Sequence, residues 1–263
     1  MRVIIEKDYE TMSKKAAKVI AKQIREKPDS VLGLATGSTP IGTYKELIRM
    51  HREEGLDFSE VVTFNLDEYY PISSTHPHSY HHFIQKEFFE HININPLHIY
   101  IPDGQVKNYK AFCKCYEEEI KRAGGIDLQL LGIGSDGHIG FNEPGSSLGS
   151  RTRLKTLNVQ TIKDNARFFK KKEDVPKYAI TMGIGTIMEV KICLLLASGR
   201  NKAEILAKAI EGPITSQVTA SILQLHKEVI VIADEEASQN LERKEYYQYV
   251  EKLTKELEKL DQL

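Results

Sequence analysis

The stretch Asp136-Gly137-His138-Ile139-Gly140-Phe141-Asn142-Glu143-Pro144 gathers two carboxylates and an imidazole in a glycine-rich turn. A carboxylate that accepts from one ring nitrogen fixes the tautomer and raises basicity, leaving the other nitrogen free to move protons near neutral pH. The alternative is a hydrogen-bonded turn histidine, but two acids and clustered glycines after a buried strand make a costly arrangement for a mere loop. Asp67-Glu68 also follows an apolar run and suits either helix capping or abstraction of a proton next to a carbonyl. Thr36-Gly37-Ser38-Thr39-Pro40 predicts a helix N-terminus with a Ser/Thr cap and proline at the first helical position. Such a terminus is either an ordinary capped helix or a site for a phosphate monoester, drawn by free amides and the helix dipole. Lys202, beside Gly199, offers a second point charge, unless it is only a solvated surface lysine.

Two other patterns are set aside. Gly132-Ile133-Gly134-Ser135-Asp136-Gly137 matches the dinucleotide fingerprint in letters, but Pro144 interrupts the required helix and Thr152–Val159 carries no acid. His76, His78, His81 and His82 lack a His-Glu-x-x-His pattern and a carboxylate at ligand spacing, so they are read as the start of an amphipathic helix and no metal is expected.

These groups need a scaffold that brings distant segments together. Apolar runs at Val31–Ala35, Val61–Leu66, Leu128–Ile133, Ile192–Ala197 and Val229–Ala233 have the length and composition of buried strands, with a further strand starting near Val3. Between them, Tyr44, Leu47, Ile48 and Tyr80, Phe83, Ile84, Phe88 recur at helical spacing. The alternation predicts a single α/β domain over 1–263, with an open, mostly parallel, Rossmann-like doubly wound sheet. Ligands bind beyond the carboxyl ends of such strands, which is where the polar turns fall. A C-terminal amphipathic helix is expected over about 236–262, with Val250, Leu253, Leu257 and Leu260 on one face. Two heptads fall short of a coiled coil, so that face is expected to pack on its own domain rather than on another subunit.

The balance of 36 basic and 37 acidic residues gives no electrostatic case for nucleic acid. No apolar run is long enough to span a bilayer, and charge follows the N-terminus at once, so a cytoplasmic protein with no membrane contact is expected. The three cysteines, with Cys113-Lys114-Cys115 in neither redox nor zinc spacing, read as reduced thiols.

Val31–Pro40, Val61–Tyr69 and Leu131–Thr156 resemble the glucosamine-6-phosphate deaminases, of the glucosamine/galactosamine-6-phosphate isomerase family. The likeness continues through Asn165–Phe168, Val175–Thr186 and Leu223–His226, and its most specific segment is Gly137–Pro144. The resemblance implies that Asp67 is the base for enolisation and that Asp136, His138 and Glu143 open the sugar ring. It implies phosphate binding by Thr36, Gly37, Ser38 and Thr39 with Arg167 and Lys202; spacing alone does not find Arg167. The implied reaction turns D-glucosamine 6-phosphate and water into D-fructose 6-phosphate and ammonia, without cofactor. It further implies a homo-oligomer, a hexamer being possible, activated by N-acetylglucosamine 6-phosphate at Ser146, Arg153, Lys155 and Thr156. Without the resemblance, Arg151, Arg153 and Lys155 read as a basic strand edge. One departure stands out: counting forward from Asp234 sets Gln248, between Tyr247 and Tyr249, where the family closes this second site with a tyrosine, and a one-residue shift would restore it. Two rivals share the fold, a 6-phosphogluconolactonase-like hydrolase and a noncatalytic sugar-phosphate sensor.

Overall fold

A computed structural model describes residues 1–165 and 175–260. The chain begins with β1 (Arg2–Glu6), α1 (Tyr9–Glu26), β2 (Val31–Leu34), α2 (Ile41–Glu54), β3 (Val62–Asn65) and β4 (Asp67–Tyr70). It continues through α3 (Tyr80–Glu87), β5 (Ile99–Tyr100), α4 (Tyr109–Arg122), β6 (Leu128–Gly132), β7 (Arg153–Thr156) and α5 (Val159–Asn165). The last elements are β8 (Tyr178–Thr181), α6 (Ile184–Met188), β9 (Ile192–Ala197), α7 (Ala203–Ile210), β10 (Val229–Asp234) and α8 (Lys244–Leu260).

Seven strands form one parallel sheet in the order β1-β10-β9-β6-β2-β3-β5. Its central strands are apolar on both faces, as burial under helices requires: Val31–Leu34 is buried throughout, as are Cys193–Ala197. α1 shows how a helix is fitted to that surface. Asp8 caps it by accepting from the Thr11 amide at 2.8 Å, and Met12, Ala16, Ala17, Ile20 and Ile24 form its buried face. The small alanines let α1 approach α2 and β10 closely.

The order places a topological switch between β2 and β6. From β2 the chain runs outward through β3 to β5, then returns to β6 on the other side and runs outward again through β9 and β10. The carboxyl ends of β2 and β6 therefore border one crevice, the position where such sheets bind ligands.

The structure adds a feature that the apolar runs did not announce. A three-stranded antiparallel sheet, β4-β8-β7, stands apart from the main sheet, with Asp67 opposite Thr181 and Thr181 opposite Arg153. Its strands, DEYY, YAIT and RLKT, are short and largely polar. β4 starts one residue after β3 ends, so the run read as Val61–Leu66 hides a change of sheet.

The C-terminal helix is also shorter than expected, starting at Lys244 rather than near 236. The Asp234 carboxylate accepts from the Ala237 amide at 2.7 Å and holds that segment in turns. α8 packs along β1, where Arg2 donates to Glu251 and to Glu258, each at 2.7 Å. The leucines expected to face the domain turn outward instead, with Leu253, Leu257 and Leu260 exposed by 40%, 62% and 65%. Among the described residues no helix is long and apolar enough to cross a membrane.

Candidate functional site

Four segments meet beyond the carboxyl ends of the strands. Asp67 leaves β3 for β4, the Thr36–Thr39 turn follows β2, the Ser135–Glu143 turn follows β6, and Lys202 follows β9. The Lys202 ammonium reaches back over the sheet to donate to the Ile133 carbonyl at 2.8 Å, which brings the β9 turn onto the end of β6. That turn is braced from β10, whose Asp234 accepts from the Ser198 hydroxyl at 2.5 Å and from the Gly199 amide.

Asp67 is buried, and its carboxylate has no hydrogen-bond donor among the described residues. Burial, and then the charge of Glu68, push its pKa up to about 8. Glu68 is held differently. It accepts from the amides of Tyr69, Tyr80 and His81 at 2.8–2.9 Å, so it fastens β4 to the start of α3. Burial pushes Glu68 up to about 7 even against these three amides. Glu68 thus takes the helix-anchoring role that was one of the two alternatives read for Asp67-Glu68, and Asp67 accepts no hydrogen bond among the described residues.

The Asp136–His138 turn has the geometry of an oriented imidazole. His138 Nδ1 lies 2.6 Å from Asp136 Oδ1, and the Asp136 Oδ2 accepts from the Asn158 side chain at 3.3 Å. Burial raises the Asp136 pKa, but the hydrogen bond and charge of His138 more than offset it and hold it down at about 2. An ionised Asp136 only accepts, which puts the ring proton on Nδ1 and leaves Nε2 as the acceptor nitrogen. Gly134 makes room for the ring, since a methyl group there would lie 2.3 Å from His138 Cε1.

Glu143 joins this pair through a third residue. Both of its oxygens accept from the Asn158 amide at 2.8 Å, while the Asn158 side chain reaches Asp136. Asn158 also caps α5, accepting from the Thr161 amide at 2.8 Å. Spacing did not reveal Asn158: an asparagine before a helix looks like a cap, and its second duty lies 22 residues away in sequence.

Thr181 was also missed, because it sits in a strand that no apolar run marked. Its hydroxyl accepts from the Phe141 amide at 3.0 Å and pins the 138–144 turn to β8. Gly140, at φ +54°, is where that turn passes Asp67: a methyl group there would meet Thr181 Oγ1 at 3.0 Å and Asp67 Oδ2 at 3.5 Å. The carboxylate of Asp67 thus faces the same turn that carries His138.

At the β2 turn Gly37 takes φ +101°, and the chain enters α2 with Pro40 as the capping residue rather than the first helical one. No side chain caps this helix, contrary to the Ser/Thr cap expected. The Tyr9 hydroxyl instead donates to the Ser38 carbonyl at 3.1 Å and accepts from the Gly42 amide at 2.8 Å. Arg167 lies outside the described residues.

Arg153 and Lys155 alternate along β7 and share the face of the small sheet that carries Asp67 and Tyr69; Thr156 lies on the other face. Arg153 donates to the Asn142 side chain at 2.9 Å, and Asn142 in turn donates to the Met182 carbonyl at 2.8 Å. Ser146 is buried, and its hydroxyl has no partner among the described residues. Gln248 is flanked by Tyr247, half-buried beside Glu211, and by an exposed Tyr249. Among the described residues no group of three His, Cys, Asp or Glu could hold a metal ion.

Comparison with known proteins identifies the family. Residues 6–232 match the family described as glucosamine-6-phosphate isomerases/6-phosphogluconolactonase. A glucosamine-6-phosphate deaminase of Thermoanaerobacter sp. (strain X514) is 55% identical over 238 residues, covering 90% of this chain and 94% of the relative. A solved monomeric glucosamine-6-phosphate deaminase superposes with a TM-score of 0.90 at 50% identity, over 91% of this chain and 100% of that one. A 6-phosphogluconolactonase from Thermotoga maritima, at 18% identity and a TM-score of 0.70 over 89% of this chain and 99% of its own, shares the fold. The chain belongs to the glucosamine-6-phosphate isomerase/6-phosphogluconolactonase family.

Proposed function

We propose that the chain catalyses aldose–ketose isomerisation with deamination, converting D-glucosamine 6-phosphate and water to D-fructose 6-phosphate and ammonia. The observation that carries this reading is Asp67: a buried carboxylate, without a hydrogen-bond donor among the described residues, facing the turn that holds His138. A lactone hydrolase has no use for a base aimed at carbon. Desolvation makes the ionised carboxylate a stronger base, and a pKa of about 8 is matched to proton transfer near neutral pH.

In the proposed course, His138 Nε2 takes the proton of the sugar O1 hydroxyl and returns it to the ring oxygen, opening the pyranose. Asp136, Asn158 and Glu143 hold the imidazole in place. Asp67 then removes the C2 proton and delivers it to C1 through an enolamine. Water adds to the resulting C2 iminium, and ammonia leaves the ketose. Each step is proton transfer within a positioned site.

The phosphate is assigned to the amides and hydroxyls of Thr36, Gly37, Ser38 and Thr39, with Lys202 and Arg167. Support comes from the uncapped α2 terminus, where the hydroxyls are not spent on the helix. A cytoplasmic setting is our reading, supported by the free cysteines Cys113, Cys115 and Cys193. Release of ammonia from glucosamine 6-phosphate, measured beside hydrolysis of 6-phosphogluconolactone, tests the assignment. Lactone hydrolysis without ammonia would overturn it.

Activation by N-acetylglucosamine 6-phosphate is the finer reading. Ser146, with a buried and unpartnered hydroxyl, and the neighbours Arg153 and Lys155 on one strand face support it. Thr156 lies on the other face of the strand. Substrate saturation curves with and without the activator decide: an activator must bind the active state more tightly, so unchanged curves reject it.

A further inference from the structure

We propose that α8 is a homodimerisation element, pairing antiparallel with α8 of a second copy about a two-fold axis through Leu253. Tyr246, Tyr249, Leu253, Leu257 and Leu260 project from one side of this helix, exposed by 59%, 61%, 40%, 62% and 65%. The opposite side is already engaged: Glu251 and Glu258 bind Arg2, and Tyr247 packs against the core. The outward stripe is therefore left over after the helix has docked on its own domain, and it plays no part in the crevice.

Three observations select a second copy as the occupant. The first is the spacing of the stripe, whose steps of three, four, four and three read the same in both directions from Leu253. An antiparallel copy consequently sets Tyr246 against Leu260, Tyr249 against Leu257 and Leu253 against itself, the self-complementarity that a two-fold interface requires. The second is charge. Lys252 and Glu256 flank the stripe one turn apart, exposed and without an ion pair among the described residues. The same symmetry brings Lys252 of each copy towards Glu256 of the other. Lys and Glu are equal in number along Lys244–Leu260, four of each, so the helix lacks the basic polar face that a lipid surface selects. The third is area. Half-exposed Tyr and Leu side chains of about 100 Å² each give roughly 500 Å² per copy, or about 1,000 Å² in the pair, the lower bound for a specific interface.

The stripe also lies beyond the stretch that matches the family model. The family match ends at residue 232, before α8 begins.

Sedimentation velocity on the full chain over roughly 1–200 µM tests the proposal, a range suited to an interface of this size. The expected result is a reversible monomer–dimer equilibrium in the wild type and a monomer for Leu253→Glu, with unchanged thermal unfolding and ammonia release. The register is read from Tyr246→Cys combined with Leu260→Cys in a Cys115→Ser background. Mild oxidation should crosslink this variant to a covalent dimer faster than either single cysteine variant. A wild type that stays monomeric at the top of the range, a Leu253→Glu variant that still dimerises, or no advantage of the cysteine pair overturns the proposal. So does a monomer that binds anionic lipid vesicles through the stripe. None of these readings depends on the substrate, so failure here leaves the catalytic assignment untouched, and absence of ammonia release leaves the dimer standing.

Discussion

Asp136 Oδ1 and His138 Nδ1 lie 2.6 Å apart, with one glycine between the two residues in sequence, and Asn158 holds the other carboxylate oxygen. Asp136→Asn keeps the shape but offers the ring an amide, which no longer fixes the proton on Nδ1. The expected loss in kcat is about 10²–10⁴-fold, the worth of a positioned acid–base group. An open-chain substrate analogue should suffer less than the cyclic sugar, because the pair serves ring opening. Equal losses on both would place the imidazole at another step.

Asp67→Asn should abolish exchange of the C2 proton with solvent while substrate still binds. The same variant should be more stable than the wild type at pH 8. The folded-state pKa of Asp67 is raised to about 8 from an ordinary 3.8, so its contribution is fully present below pH 4 and lost as pH rises through 8. Differential scanning calorimetry at pH 8 should show a rise of roughly 2–4 °C, the shift that about 1 kcal/mol causes in a chain of this length. The gain should shrink as pH falls towards 4. A variant less stable at pH 8 would contradict an uncompensated buried carboxylate.

Lys202→Ala should raise KM for the phosphorylated sugar by roughly ten-fold or more, from loss of a charge-assisted hydrogen bond of about 1.5–3 kcal/mol. Its effect on unphosphorylated glucosamine should be small. Steady-state kinetics on the two sugars make the comparison, and parallel losses would remove Lys202 from the phosphate site.

Asn158→Ala removes a helix cap and the link to Asp136 together. Chemical denaturation should show a loss of about 0.5–2 kcal/mol, the usual cost of a cap. A drop in kcat beyond what the cap explains is expected too, with KM nearly unchanged, because the imidazole loses a brace and the phosphate site does not. Unaltered kcat would reduce Asn158 to a structural cap.

Thr181→Val leaves the buried Phe141 amide without an acceptor, at about 1–3 kcal/mol. Activity should fall with stability, and Thr181→Ser should restore both. Failure of the serine variant would show that the methyl group, not the hydroxyl, holds the turn.

Six strands of the main sheet were legible, five as largely apolar runs and β1 from its start near Val3, whereas β5 escaped because its two half-buried residues, Ile99 and Tyr100, are too few to make a run. The polar turns after the apolar runs marked the crevice. What remained hidden has physical causes. β4, β7 and β8 are short and polar because one face of their sheet carries Asp67, Thr181 and Arg153, so no hydrophobic periodicity announces them. Asn158 and Thr181 act through contacts formed across 15 to 40 residues of chain, which spacing cannot display. The leucines of α8 have helical periodicity whether they face a core or another molecule, so their direction was not in the pattern.

The pairing of β1 with β10 sets the order in which this molecule can be completed. A ribosome delivers Val3 and Ile4 long before their strand partner, which emerges only with Val229–Asp234, and the α8 residues that bind Arg2 come later still. Until then the opening strand waits without its neighbour, and the sheet grows from its middle towards an edge supplied by the oldest part of the chain. Such non-local closure is slow and exposes apolar strand during synthesis. A nascent chain halted before Val229 therefore carries an unpaired β1, which makes late truncations of this protein targets for chaperones and proteases.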